Sequence, residues 1–248
     1  MKLVAETSQF HVYDDVLSEK DLRAVWQYVQ LESYVPVHHT EWVKVWRISD
    51  GIPLGASTGV LYKAPATSTG ERVYPTHTGL DRLLEALGGQ LDQMTGLIGK
   101  LGVDFENVSA RSFLYPEGTG LSWHEDAVGY TGGYVYYAHP EWNVQWGGEL
   151  LVADESARPR ESEADRVVML TRQDGALKLT KIRIPPFLDN ASQNTALGER
   201  GIGTYIAPKP NRLVVIAAGN AHMINKVSAS AGDHVRCTIA GFFMLPRS

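Results

Sequence analysis

His124 and Asp126 stand two residues apart behind a glycine turn, in the stretch Tyr115-Pro-Glu-Gly-Thr-Gly-Leu-Ser-Trp-His-Glu-Asp. On a strand, alternate side chains share a face, so the imidazole and the carboxylate enter one space while Glu125 faces away. One His and one carboxylate are two of the three ligands of a facial triad, which leaves open positions on iron for chemistry. The pair alone is a weak motif, since any His two before an Asp matches it. His222 is the candidate third ligand; it opens a strand after the apolar run Leu213–Ala217 and a small-residue turn. A His in that place could equally be bonded to backbone. Arg236 follows in Arg-Cys-Thr-Ile-Ala-Gly-Phe-Phe, where alternation puts Arg236, Thr238 and Phe242 on one face. A guanidinium inside a barrel needs an anion, and its planar fork suits a carboxylate. An internal Asp or Glu, or the solvent side of the strand, would satisfy it as well.

The elements that must position these groups are short strands. Residues 108–115, 120–126, 133–138, 148–153, 203–207, 212–217, 222–227 and 234–245 read as strands separated by Gly and Pro turns. Regular spacing of this kind predicts a sandwich or barrel rather than a parallel sheet. Upstream, 8–17 predicts a short strand and turn. Ser18 then caps a helix whose buried face carries Leu22, Val25, Trp26 and Val29. Residues 41–48 and 57–63 read as strands, with loops at 51–56 and 64–79. Leucines at helical spacing over 80–101 predict a helix packed on the sheet, with Gly88-Gly89 kinking or splitting it. Residues 155–202 are polar and read as a long insertion over the barrel mouth, of the kind that often forms a lid.

Composition narrows the chemistry. The chain has 248 residues, 44% hydrophobic and 21% charged, enough for a sizeable core in one domain or two. The net charge of −5 and the lack of a basic cluster argue against nucleic acid. No secretory leader and no membrane-length apolar run is visible. The single cysteine, Cys237, excludes an internal disulfide and a Cys-rich metal site, and it suits a reducing cytoplasm. Any metal must therefore be held by His and carboxylate. A zinc-peptidase H-E-x-x-H is broken, because Val128 stands where the second His belongs.

Four segments in one order carry a family resemblance. They are Tyr115-Pro-Glu-Gly-Thr-Gly…His124-Glu-Asp126, Tyr136-Tyr137…Trp142…Gly147-Gly148-Glu149-Leu150, Asn211–His222, and Gly232…Arg236-x-Thr238…Phe243. Together they resemble the Fe(II)/2-oxoglutarate-dependent oxygenases, in the prolyl-hydroxylase-like branch, over about residues 108–153 and 203–245. The resemblance implies a mainly β (α+β) fold: a double-stranded β-helix, or jelly roll, with flanking N-terminal helices. Residues 1–248 would form a single domain, with 1–107 as lead-in and support and 108–248 as the core carrying the insertion or lid at about 155–202.

It further implies His124, Asp126 and His222 as iron ligands and Arg236 as the partner of the 2-oxoglutarate C5 carboxylate. Thr238 and Tyr137 would donate to that carboxylate, and Tyr115 would lie near the iron-bound end. Iron, 2-oxoglutarate and O2 would together hydroxylate an unactivated C–H bond, releasing succinate and CO2. Related halogenases have Gly or Ala in place of the carboxylate, so Asp126 points to hydroxylation or to a desaturation, epimerisation or cyclisation that begins alike. A free small molecule, such as an amino acid or natural-product intermediate, is the first choice of substrate and a peptidyl side chain the second. A cupin-like jelly roll that binds without turnover is the non-enzymatic alternative. Two departures stand out. The His222–Arg236 spacing predicts a longer turn at 228–232, and the insertion has no counterpart. Trp123 and Trp146 read as barrel-core packing or as the floor of a substrate pocket. The remaining histidines have no matching role, and the sequence does not state an oligomeric state.

Overall fold

The computed structural model describes residues 1–37, 46–64, 71–126, 129–157, 168–173, 176–181 and 197–246. In chain order, β1 (Lys2–Glu6) and β2 (Phe10–Asp14) form a hairpin, followed by α1 (Glu19–Leu31). Then come β3 (Tyr34–Pro36), β4 (Leu54–Ala56), β5 (Val60–Tyr62), β6 (Arg72–Val73), α2 (Leu80–Gly88) and α3 (Thr95–Ile98). The rest is β: β7 (Asn107–Tyr115), β8 (Leu121–His124), β9 (Tyr130–Tyr137), β10 (Leu150–Ala153), β11 (Val168–Gln173), β12 (Ala176–Lys181), β13 (Gly203–Ile206), β14 (Leu213–Ala217), β15 (His222–Ile224) and β16 (Arg236–Met244).

Of the strands from β7 onward, β7, β9, β14 and β16 lie in the larger of two facing sheets, β8, β10, β13 and β15 in the smaller, and β11–β12 form a separate hairpin. The larger runs β1-β2-β14-β9-β16-β7-β4-β3, with β5 and β6 attached to β7, and the smaller runs β13-β10-β15-β8. This is the expected double-stranded β-helix, and all eight strands read after residue 107 are present. The larger sheet is covered on both faces, which is why β14 reads as an unbroken apolar run. One cluster packs its outer face under the helices, through Leu80, Leu83, Leu84, Leu87, Tyr134, Tyr136 and Phe243. The other fills the space between the sheets, through Phe10, Val12, Tyr115, Tyr137, Leu150, Val214 and Ile216.

The helices follow local chemistry. Ser18 caps α1, its hydroxyl oxygen accepting from the Asp21 amide at 3.2 Å. Gly79 lets α2 meet α1, since a Cβ there would fall 1.9 Å from the Ala24 carbonyl oxygen. Buried Asp81 is matched by the amides of Thr76 and His77, at 2.9 and 2.7 Å.

Several expectations are corrected. The 80–101 segment is not one helix: α2 stops at Gly88–Gly89, a 3-10 turn spans Leu91–Met94, and α3 is a single turn. Two successive glycines weaken the helix there, and at Gly88 the backbone presses on the Tyr62 hydroxyl. The strand read at 41–48 fails at its end, where Ile48–Asp50 is a 3-10 turn; 41–45 lies outside the described residues. The strand read at 57–63 shrinks to β5, and β4 forms where a loop was read. The 155–202 insertion holds the β11–β12 hairpin, and the lid reading concerns mainly residues outside the described ones. The long turn at 228–232 is present, as a 3-10 turn over Ala229–Ala231 and a left-handed Gly232. No helix among the described residues is long and apolar enough to cross a membrane.

Candidate active site

His124 ends β8 and His222 opens β15, and the two are direct cross-strand partners. Their rings lie 4.2 Å apart. Asp126 stands two residues beyond the end of β8, so the strand read over 120–126 is shorter than expected; the carboxylate still turns to the same side. Its oxygens are 3.9 Å from His124 Nε2 and 3.4 Å from His222 Nε2. One ligand atom from each of the three lies within 4.8 Å of the others. Ligands about 2.1 Å from a metal are themselves roughly 3–4 Å apart, so a small contraction completes the set. Glu125 is exposed and lies outside it.

Both imidazoles are oriented for metal binding. His124 Nδ1 donates to the Ser122 carbonyl and His222 Nδ1 to the Asn220 carbonyl, each at 2.8 Å. That leaves each Nε2 facing Asp126 and available to a metal. Burial, and then the neighbouring His222, lower the His124 pKa to about 4. Burial also disfavours charge on His222, but the Asp126 carboxylate outweighs it and raises that pKa. Asp126 in turn is held below its ordinary value: burial pushes it up, and the hydrogen bond from His222 and the two imidazoles pull it down further.

The strand carrying His124 is tied down by a residue, Asp50, that the sequence reading left between a strand and a loop. The Asp50 carboxylate accepts from the Ser122 amide at 3.0 Å and from the Ser122 hydroxyl, and its other oxygen accepts from the Arg47 amide at 2.8 Å. The Ser-Asp-Gly turn at 49–51 was its only sequence signal.

Arg236 is fully buried. It lies opposite Tyr115 on β7, and its guanidinium carbon sits 4.9 Å from the Tyr115 ring and 5.0 Å from the Tyr137 ring, clamped between them. Nε donates to the Gly148 carbonyl at 2.7 Å. Nη1 and Nη2 have no hydrogen-bond partner, and neither does the Tyr137 hydroxyl beside them. Thr238 is buried on the same face, paired with Tyr137 and Phe113. No internal Asp or Glu pairs with the guanidinium among the described residues, so that alternative falls away. A fully buried cation with a two-pronged unmet donor set has the geometry that suits a carboxylate.

Gly148 is the functional residue whose role the sequence concealed. Its φ is +72°, and a Cβ there would lie 2.7 Å from Arg236 Cδ. The glycine gives Arg236 its space and its carbonyl fixes Nε. Trp146 packs at the edge of the inter-sheet core, as expected, with its ring 4.1 Å from that of His234. Trp123 instead borders a cavity of about 480 Å³ with Leu151, Leu197 and Tyr205, which includes none of the three ligands. His139 is buried against Tyr137 and Trp142 and donates from Nε2 to Pro208. His11 bonds Tyr13; His38 and His39 lie outside the described residues.

No known family profile matches the sequence, and no curated protein does. Solved structures do. A Pseudomonas putida prolyl-4-hydroxylase superposes with a TM-score of 0.56 at 15% identity, over 96% of this chain and 93% of that one. The chain has the fold of the 2-oxoglutarate/iron oxygenases. A Trichoplax adhaerens prolyl hydroxylase, solved with a hypoxia inducible factor oxygen degradation domain peptide fragment, gives 0.55 at 17%, over 96% and 84%. The alpha ketoglutarate dependent epimerase SnoN from nogalamycin biosynthesis gives 0.50 at 9%, over 96% and 78%. The oxygenase fold accounts for the strand alternation that carries His124 and His222 on the smaller sheet and Arg236 on the larger.

Proposed function

We propose that this protein is an Fe(II)- and 2-oxoglutarate-dependent oxygenase that hydroxylates an unactivated C–H bond of a small molecule and releases succinate and CO2. One observation carries the reading: a His/Asp/His cluster and a fully buried, two-pronged guanidinium occupy the interior of one double-stranded β-helix. His124, Asp126 and His222 would hold the iron, which when bound supplies the activation of O2. Arg236 would pair with the C5 carboxylate of 2-oxoglutarate, Tyr137 and Thr238 would donate to it, and Tyr115 would wall the guanidinium from water. Asp126 would fill the ligand position that a halogenase leaves open. The chain would act as a single domain in the cytoplasm.

The test is succinate formation by the purified protein given Fe(II), 2-oxoglutarate and a pool of amino acids and related metabolites. Succinate should appear only with O2 present. Binding of metal and 2-oxoglutarate without oxygen-dependent succinate would favour a cupin-like binder. A peptidyl substrate is the second reading, favoured by the two prolyl hydroxylases among the structural neighbours, one of them solved with a peptide.

Gly148→Ala is expected to weaken 2-oxoglutarate binding by roughly tenfold or more. A Cβ there falls 2.7 Å from Arg236 Cδ, and a loss of about 1.4 kcal/mol in the arginine's pairing is a factor of ten in affinity. The methyl group also displaces Arg236 from its clamp. Calorimetry on Mn(II)-loaded protein would read the change, with metal affinity unaltered. Wild-type 2-oxoglutarate affinity in a folded Gly148→Ala variant would remove Gly148 from this role.

A further inference from the structure

A second arginine lies on the site face of the larger sheet. Arg111, Phe113 and Tyr115 alternate along β7, and Phe113 and Tyr115 belong to the inter-sheet core. Arg111 is half-buried, and its Nε donates to the Ala56 carbonyl at 2.7 Å, which fixes the stem. Among the described residues no carboxylate pairs with it. Across the ladder it opposes Ala240, and Phe242 follows two residues on. A Cβ on Gly133 would meet the Phe242 ring at 3.4 Å and Asp126 Oδ2 at 3.5 Å. Arg111 is level with Ala240 and Val135, two strand spacings away, and Gly133 lies two residues further along, so the two backbones are roughly 12 Å apart, and the bond to Ala56 holds the guanidinium on the β4 side. Tyr130 stacks on Phe242 at 4.2 Å and adds a flat apolar wall between them.

The charge balance favours an anion. A divalent ion together with Arg236 is neutralised by Asp126 and the two carboxylates of 2-oxoglutarate. On the other side, Arg47 donates from Nη2 to the Trp123 carbonyl at 3.1 Å, one residue from His124, and Asp50 offsets it. Arg111 is then a positive charge on the inner face of the larger sheet that no carboxylate of the described residues pairs with. A half-buried guanidinium without a counter-charge is costly, and a carboxylate meets its planar fork best.

We propose that the substrate carries a carboxylate, and that Arg111 binds it so that the far end of the molecule points to the metal across the Tyr130–Phe242 wall. The inference rests on the oxygenase reading and narrows its substrate to carboxylate-bearing small molecules. It makes Arg111 a specificity residue of the reaction.

Two probes of one shape and different charge test it: phenylacetate and phenylacetamide. Protein is loaded with Mn(II) and saturating 2-oxoglutarate, and proton relaxation of each probe is titrated. Phenylacetate should show metal-dependent relaxation with at least roughly tenfold tighter binding than the amide. Arg111→Gln should erase that difference and Arg111→Lys should keep part of it, while 2-oxoglutarate binding measured by calorimetry stays unchanged in both. Equal effects of the two probes, no effect of either, or a difference that persists in Arg111→Gln overturns the proposal. Failure of Mn(II) or 2-oxoglutarate to bind at all would instead sink the oxygenase reading.

Discussion

Replacing Arg236 by alanine will strip the protein of 2-oxoglutarate binding while leaving metal binding in place. The guanidinium is fully buried, clamped between two tyrosine rings and anchored through Nε, so its remaining donors are pre-aimed. Among the described residues nothing competes for them. A carboxylate that loses such a partner is left buried and unpaired, at a cost of about 3–5 kcal/mol. At about 1.4 kcal/mol per decade that is roughly two to three orders of magnitude in affinity. Arg236→Lys should fall between, because it keeps the charge and loses the fork. Anaerobic calorimetry with Mn(II)-loaded protein reads the cosubstrate directly. Unchanged affinity in Arg236→Ala would falsify the assignment and send the search for the carboxylate partner to Lys226 or Arg111.

Asp126→Ala will have the second large effect, this time on the metal. The carboxylate is the one charged ligand, and it sits 3.4 and 3.9 Å from the two imidazoles. Removing a residue that merely orients a metal ligand costs roughly 10–100-fold in affinity or activity, and losing the anionic ligand itself should exceed that. Mn(II) affinity followed by electron paramagnetic resonance, and succinate formation followed in parallel, should both collapse. His124→Ala and His222→Ala should behave alike. A variant of the three that keeps near-wild-type metal and turnover is not a ligand.

The core strands were legible because short apolar or alternating runs bounded by Gly or Pro turns are local signals. The 80–101 helix was over-read because its leucine period continues through Gly88-Gly89, where backbone cost overrules the pattern. The β1 strand carries too weak an apolar signal to read, as its exposed side chains show, and it forms by pairing with β2. Among the site residues, types and spacing singled out His124, Asp126, His222 and Arg236. Sequence could not show that Arg236 has no acid partner among the described residues, that Gly148 makes room for it, or that Asp50 holds the strand carrying His124. Each of these depends on contacts between segments at least 70 residues apart. Arg111 was visible only as an arginine on a strand; its lack of a counter-charge is a tertiary fact.

The ligand pair joins two strands as well as two side chains. β8 lies at an open edge of the smaller sheet, is four residues long, and meets β15 through a bulged pairing whose outermost contact is His124 with His222. An ion bound by both imidazoles would therefore fasten the sheet where its ladder is thinnest, adding coordinate bonds to that seam. Whatever binds only the folded state stabilises it by mass action. Iron supply would then govern how long a molecule survives proteolysis at that edge as well as how fast it turns over, and a cell short of metal would shed the protein along with the activity.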